Sequence, residues 1–268
     1  MTILWTAVVA LIVAFLLGFL LGAFKKIFHV EVDPTVQMIR DCLPGANCGG
    51  CGFPGCDGFA AAVAKKEAPV DGCSAGGVET AKNIATVMGV TSNARPKAAV
   101  VSCRGDCDAA VIKGEFVGIQ TCSAAKAAIN GTKVCNFACI GFGDCVNVCK
   151  FDAITLGEKG LPVVNTEKCT GCGACSRKCP QGVIQIFPSD ITHPVALCSN
   201  RSENKPALLK QCKNACIKCG KCEKSCEQGA ITLQKGIPVV DEAKCDGCKK
   251  CVEGCPTKVL AFVFKETA

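Results

Sequence analysis

The chain has 268 residues, including 26 Cys, two His, one Trp and no Tyr, with a formal charge of +7. Two histidines, at 29 and 193, exclude a His-rich metal centre or a His-paired two-iron centre, and no G-x-G-x-x-G opens a helix as a Rossmann site requires. Few large side chains remain once cysteine and the first residues are set aside, so something besides apolar burial must staple this chain together.

Residues 3–24, ILWTAVVALIVAFLLGFLLGAF, hold no charge and are long enough to span a bilayer as a helix. Lys25 and Lys26 follow at once, which predicts that everything after them lies in the cytoplasm. A cleaved signal peptide fits less well, because the segment lacks a basic start and a small-residue cleavage site. In a reducing cytoplasm the thiols bind metal and do not form disulfides.

A short acidic stretch (Glu31, Asp33, Pro34) leads into CLPGANCGGCGFPGC, and a fourth cysteine follows at 73. The spacing Cys48-x2-Cys51-x4-Cys56-x16-Cys73 predicts one four-iron, four-sulfur ([4Fe–4S]) cluster. Gly45, Gly49, Gly50, Gly52 and Gly55 let the backbone turn tightly and aim N–H groups at sulfur. A zinc ribbon is the competing reading, but only the first pair has the C-x2-C spacing that such a ribbon repeats. Residues 57–66 read as a helix, and Cys42 as a packing cysteine.

The remaining chain contains a duplication. CKFDAITLGEKGLPVVNTEKCTGCGACSRKCPQG, from Cys149, matches CEQGAITLQKGIPVVDEAKCDGCKKCVEGCPTK, from Cys226. Upstream, Cys122, Cys135, Cys139 and Cys145 align with Cys198, Cys212, Cys216 and Cys222 within one residue of spacing. Each copy carries C-x2-C-x2-C-x3-C-P, the bacterial ferredoxin run whose fourth cysteine serves the other cluster. In the second copy this predicts two ligand sets: Cys216, Cys219, Cys222 with Cys255, and Cys245, Cys248, Cys251 with Cys226. In the first copy Cys169, Cys172 and Cys175 join Cys149. The other set has Cys139, Cys145 and Cys179, with Cys135 as the expected fourth ligand, because Phe142 stands where Cys219 stands. A three-iron cluster or no cluster there are the alternatives. Strands are expected at 153–156, 161–165, 230–233 and 237–241, flanking Gly-containing turns.

Cys103, Cys107 and Cys122 precede the first run and are candidate ligands of a further cluster; Cys198 and Cys212 belong to no complete set and read as buried thiols. Arg201, Lys205, Lys210, Lys213, Lys218, Lys221 and Lys224 form a basic stretch against Glu203 and Glu223. It suits either an acidic electron carrier or a solvated face. Each cluster with four thiolates adds about −2, so about five would offset the excess of lysine, and no basic–aromatic pattern suggests nucleic acid.

An anchor, CGGCGFPGC, Cys73 followed by SAGG, and then ferredoxin runs together resemble the B subunit of the Rnf complex, a membrane-bound, ion-pumping ferredoxin–NAD oxidoreductase, over essentially the whole chain. Here the resemblance is to the longer, multi-cluster type. It implies an electron-transfer subunit that accepts electrons from soluble ferredoxin and passes them toward membrane and flavin or NAD-binding subunits. The related Rsx system, which reduces a redox sensor, is the alternative. The expected fold is α+β: an anchor (1–28), a small cluster domain (29–95), a cysteine-containing connector (96–132) and two ferredoxin-like domains (133–190 and 191–268). The expected cofactors are about five [4Fe–4S] clusters, or six if Cys103, Cys107 and Cys122 hold another. The expected location is the inner membrane, single-pass, with the clusters on the cytoplasmic side. No nucleophile–base pair or phosphate loop is visible, so no substrate chemistry is expected from this chain alone.

Overall fold

The computed structural model describes residues 2–27 and 33–264, with ten helices and eight strands among them. Helix α1 (Thr2–Ile27) presents Trp5, Leu11, Phe15 and Phe19 to the outside. Among the described residues, no helix is long and apolar enough to cross a membrane. The side chains of Lys25 and Lys26, and residues His29 and Glu31, lie outside the described residues.

Three helices build the first unit. Helix α2 (Pro34–Cys42) starts where the Asp33 carboxylate accepts from the Thr35 N–H, with Pro34 pre-set for the first turn. Its Ile39 packs with Phe59 and Val63 of α3 (Gly55–Ala64) and Ile84 of α4 (Gly77–Met88), all almost fully buried, and Cys42 packs against this group as expected. Arg40 and Asp57 add an ion pair at 2.6 Å between α2 and α3.

Two copies of one topology follow. In the first, β1 (Lys97–Val101) pairs antiparallel with β4 (Ile184–Pro188), and β2 (Ile154–Leu156) forms a hairpin with β3 (Pro162–Val164). In the second, β5 (Val195–Ala196) pairs with β8 (Leu260–Ala261), and β6 (Ile231–Gln234) with β7 (Ile237–Val240). The hairpins fall where the sequence expects them. The β6–β7 turn holds Lys235 and Gly236, both at positive φ, as a tight two-residue hairpin requires. The segment read as a connector donates β1 to the sheet of the first unit.

Short helices lie within the cysteine runs, each carrying the third cysteine of its run: α6 (Asp144–Asn147) and α7 (Ala174–Lys178) in the first unit, α9 (Lys221–Lys224) and α10 (Lys250–Glu253) in the second. Helices α5 (Cys122–Ile129) and α8 (Lys205–Gln211) lie outside the hairpin–run pattern. The apolar cores are small and dominated by cysteine. Ile154, Val183 and Ile184 pack with Cys139, Cys145 and Cys175, and Ile231 and Leu260 pack with Cys251. Arg95 ties the end of the first unit to both copies, reaching Asp190 at 2.8 Å and Glu242 at 2.6 Å.

Candidate iron–sulfur sites

The first cysteine set closes around one pocket. Cys48, Cys51, Cys56 and Cys73 line it together with Leu43, Pro44 and Phe59. Asn47, itself at positive φ, accepts the Cys56 N–H at 2.8 Å and so fixes the loop to the start of α3. Gly55 must be glycine: its φ is +89°, and a Cβ there would sit 3.1 Å from the Asn47 Oδ1. Burial pushes the Cys73 thiol up, against the N–H groups of Gly76 and Ala75, which favour the thiolate.

In the second copy the expected set is found in place. Cys216, Cys219, Cys222 and Cys255 line one pocket with Leu233, Pro238 and Leu260. Burial raises Cys216 to about 11. Burial also acts on Cys255, but N–H groups of Val259, Leu260 and Thr257 outweigh it and bring that thiol below its ordinary value. The Val259 N–H stands 3.3 Å from the Cys255 Sγ, and the Ala230 N–H stands 3.3 Å from the Cys226 Sγ. Both contacts span four residues, the geometry of a chain turning over a sulfur. Cys226 packs against the group that contains buried Cys251. Burial, with Cys245 and Cys248 close by, raises Cys251 to about 11.

In the first copy, burial and the nearby Cys169 and Cys172 raise Cys175 to about 12, and Cys149 packs against the same core. The Ala99 N–H of β1 points at the Cys169 Sγ at 3.4 Å. Gly171, at φ +67°, lets this loop approach β1, since a Cβ there would meet the Lys97 Cβ at 2.5 Å.

The remaining pocket of the first copy differs from expectation. Cys139, Cys145 and Cys179 line it, and the fourth cysteine is Cys122, not Cys135. The reason is Asp144. Its carboxylate is 3 % exposed and accepts from the Cys122 N–H at 2.9 Å, the Ser123 N–H at 3.2 Å and the Ser123 hydroxyl at 3.0 Å. It thereby seats the first turn of α5 against the run. Burial raises Cys139 to about 12 and Cys145 to about 11. Phe142, in the place of Cys219, packs instead with Phe116, ring centres 6.2 Å apart. An acidic residue opposite Lys221 in the duplicated copy was the available signal for this exchange.

Cys135 lines another pocket, with Cys103, Cys198 and Cys212. Cys198 and Cys212 are therefore not isolated, as the sequence had suggested. Cys107 is exposed, with its Sγ 3.7 Å from the Asp108 carboxylate. Lys218 leaves the basic surface: it is 7 % exposed, and its Nζ donates to the Ser202 and Lys235 carbonyls. The side chain of Lys205 lies outside the described residues.

The donor set suits cubanes, since four cysteines and no histidine line each of these pockets. Among the described residues, no three His, Cys, Asp or Glu side chains converge tightly enough to hold a single metal ion. One zinc would draw four sulfurs to within about 3.8 Å of one another. A four-iron cube keeps its thiolates further apart, each bound to a different iron, as four cysteines ringing a pocket allow.

Comparison with known proteins agrees. A family described as "Putative Fe-S cluster" matches residues 43–75. A 4Fe-4S dicluster domain family matches 138–183 and 215–262, and a second family of the same description matches 168–231. The chain is 43% identical to the B subunit of the Na(+)-translocating ferredoxin:NAD(+) oxidoreductase complex of Acetobacterium woodii, over 88% of this chain and 71% of that one. It is 36% identical to the B subunit of the proton-translocating ferredoxin:NAD(+) oxidoreductase complex of Clostridium ljungdahlii, over 99% and 94%. It is also 36% identical to the B subunit of the ion-translocating oxidoreductase complex of Methanosarcina acetivorans, over 88% and 89%. With pockets ringed by cysteine and relatives matched over most of their length, the chain belongs to the family of B subunits of ion-translocating oxidoreductase complexes.

Proposed function

We propose that this chain is the electron-transfer subunit of a membrane-bound, ion-translocating ferredoxin:NAD oxidoreductase, receiving electrons from reduced ferredoxin and relaying them toward other subunits. The observation that carries this reading is the ring of four cysteines around a pocket, repeated along a chain with no other reactive constellation among its described residues. When bound, [4Fe–4S] clusters supply reversible one-electron storage.

Three pockets and two ferredoxin runs support five ligand sets: Cys48, Cys51, Cys56, Cys73; Cys122, Cys139, Cys145, Cys179; Cys149, Cys169, Cys172, Cys175; Cys216, Cys219, Cys222, Cys255; and Cys226, Cys245, Cys248, Cys251. The protein's part is to exclude water, aim amide N–H groups at sulfur and set the local charge, which together tune each potential. The first set abuts the third. A Cβ at Gly50, beside Cys51, would lie 3.8 Å from the Cys172 carbonyl and the Arg177 guanidinium, so the two ligand loops approach each other closely, which supports electron transfer between the units.

The uncharged stretch 3–24 and the adjacent Lys25 and Lys26 support a single-pass anchor that holds these sites at the cytoplasmic face. Other complex subunits, soluble ferredoxin and the membrane are the partners. Reduced ferredoxin, added anaerobically to the reconstituted full-length chain, should bleach its visible absorbance while NADH alone leaves it unchanged. Bleaching by NADH alone, or none with ferredoxin, would refute the reading.

A further inference from the structure

We propose that Cys103, Cys135, Cys198 and Cys212 hold an additional [4Fe–4S] cluster that joins the two ferredoxin-like units. The proposal deepens the relay reading above and rests on it. The four cysteines line one pocket, walled by Phe137, Ala138 and Ala215. They come from four separate segments, so no run of closely spaced cysteines marks them.

The duplication explains why they meet. Cys103 follows β1 by two residues, and Cys198 follows β5 by two residues. The Ser102 N–H donates to the Val183 carbonyl, and the Leu197 N–H donates to the Val259 carbonyl, so the two strand ends are held alike. Cys135 precedes Cys139 by the same spacing that separates Cys212 from Cys216. Each unit therefore contributes the same two thiols, related by the internal pseudo-symmetry. This replaces the sequence alignment of Cys122 with Cys198: the structural counterpart of Cys198 is Cys103, and Cys122 lies in an insertion. The amide contacts repeat as well, Cys139 N–H to Cys103 Sγ at 3.4 Å and Cys216 N–H to Cys198 Sγ at 3.4 Å.

The surroundings fit an anionic cluster. The Asn200 amide, 2 % exposed, donates to the Cys135 Sγ at 3.3 Å. Gly105 donates to the Cys103 Sγ at 3.4 Å and leaves space, because a Cβ on it would stand 3.4 Å from the Cys212 Sγ. Lys133 is 6 % exposed, and its Nζ donates to the Gly105 carbonyl at 2.7 Å and the Cys139 carbonyl at 2.8 Å. It places a positive charge beside the pocket without ligating it. With this quartet filled, only Cys42 and Cys107 stand outside a set.

The position is that of a bridge. The amides that face Cys103 and Cys198 belong to Cys139 and Cys216, themselves ligands of the adjacent site in each unit. A reduced cluster on one side is oxidised by one electron as the bridge is reduced, and the bridge is reoxidised by the other side; no proton moves.

The test is iron and sulfide per full-length chain, reconstituted anaerobically, with EPR of the reduced state. The wild type should hold about 24 iron. The double variant Cys198→Ala, Cys212→Ala should lose about four iron, four sulfide and one EPR signal, while Cys42→Ala and Cys107→Ala lose none. About 20 iron in the wild type, unchanged in the double variant, overturns the bridge and leaves the five-set relay standing. About 20 iron plus one zinc likewise overturns it. If the double variant does not fold, the wild-type count decides alone. A chain with few or no iron atoms would instead refute the relay reading itself.

Discussion

The charged side chains that matter most here are those that do not touch metal. Asp144 seats Cys122 by accepting from three donors of the first turn of α5. Asp144→Ala leaves buried N–H groups without partners and should cost about 2 kcal/mol or more. It should also remove the signal of the Cys122, Cys139, Cys145, Cys179 cluster, read by EPR, while Asp144→Asn keeps most of it. Lys133 lies against Cys103 and Cys139 and favours the thiolate at both, against the burial that raises them. A buried positive charge favours the reduced form of whatever those sulfurs bind. Lys133→Met should lower the potential of an adjacent cluster by tens of millivolts in a redox titration. An unchanged potential would mean that the charge is screened.

At the scale of elements, packing brings the ligands together. Phe59 of α3 is 1 % exposed, packs with Ile39 of α2 and Ile84 of α4, and lines the pocket of the first set. Phe59→Ala should cost about 3–5 kcal/mol by thermal or chemical unfolding and release the first cluster, leaving the ferredoxin-like signals intact. Gly171→Ala places a side chain at φ +67° against β1, so it should loosen the β1 edge and perturb the cluster bound by Cys169. The hairpins and ferredoxin runs were legible in the sequence because each is local: alternating β-formers around a Gly turn, thiols at fixed short spacings. The β1–β4 and β5–β8 pairings were not, since their partners are far apart in sequence and nothing local marks them. The same blindness hid Cys122 and the Cys103 quartet. A spacing rule detects ligands that share a loop, and these thiols reach their pockets only after strands pair and α5 docks. The matching stretches Val100–Cys103 and Val195–Cys198 were the trace that a strand-by-strand alignment would have caught.

For the whole molecule, thiolate-bound clusters take the place of a conventional core. The apolar groups are small, and each ferredoxin-like unit packs its strands onto cysteine. Removing the metal with a chelator under reducing conditions should therefore unfold both units, lowering Tm and hydrogen-exchange protection together, while the helical unit around Ile39 and Ile84 keeps part of its protection. A chain lacking residues 2–27 should no longer float with lipid vesicles yet retain its iron; one that still floats would remove the case for α1 as the anchor.

The most direct test of the relay is the number of electrons that the reconstituted full-length chain accepts from reduced ferredoxin, followed anaerobically by absorbance and EPR. The account predicts one electron per cluster, about six per chain, appearing as interacting spins. Uptake of none, or of one or two electrons whatever the iron content, would contradict it.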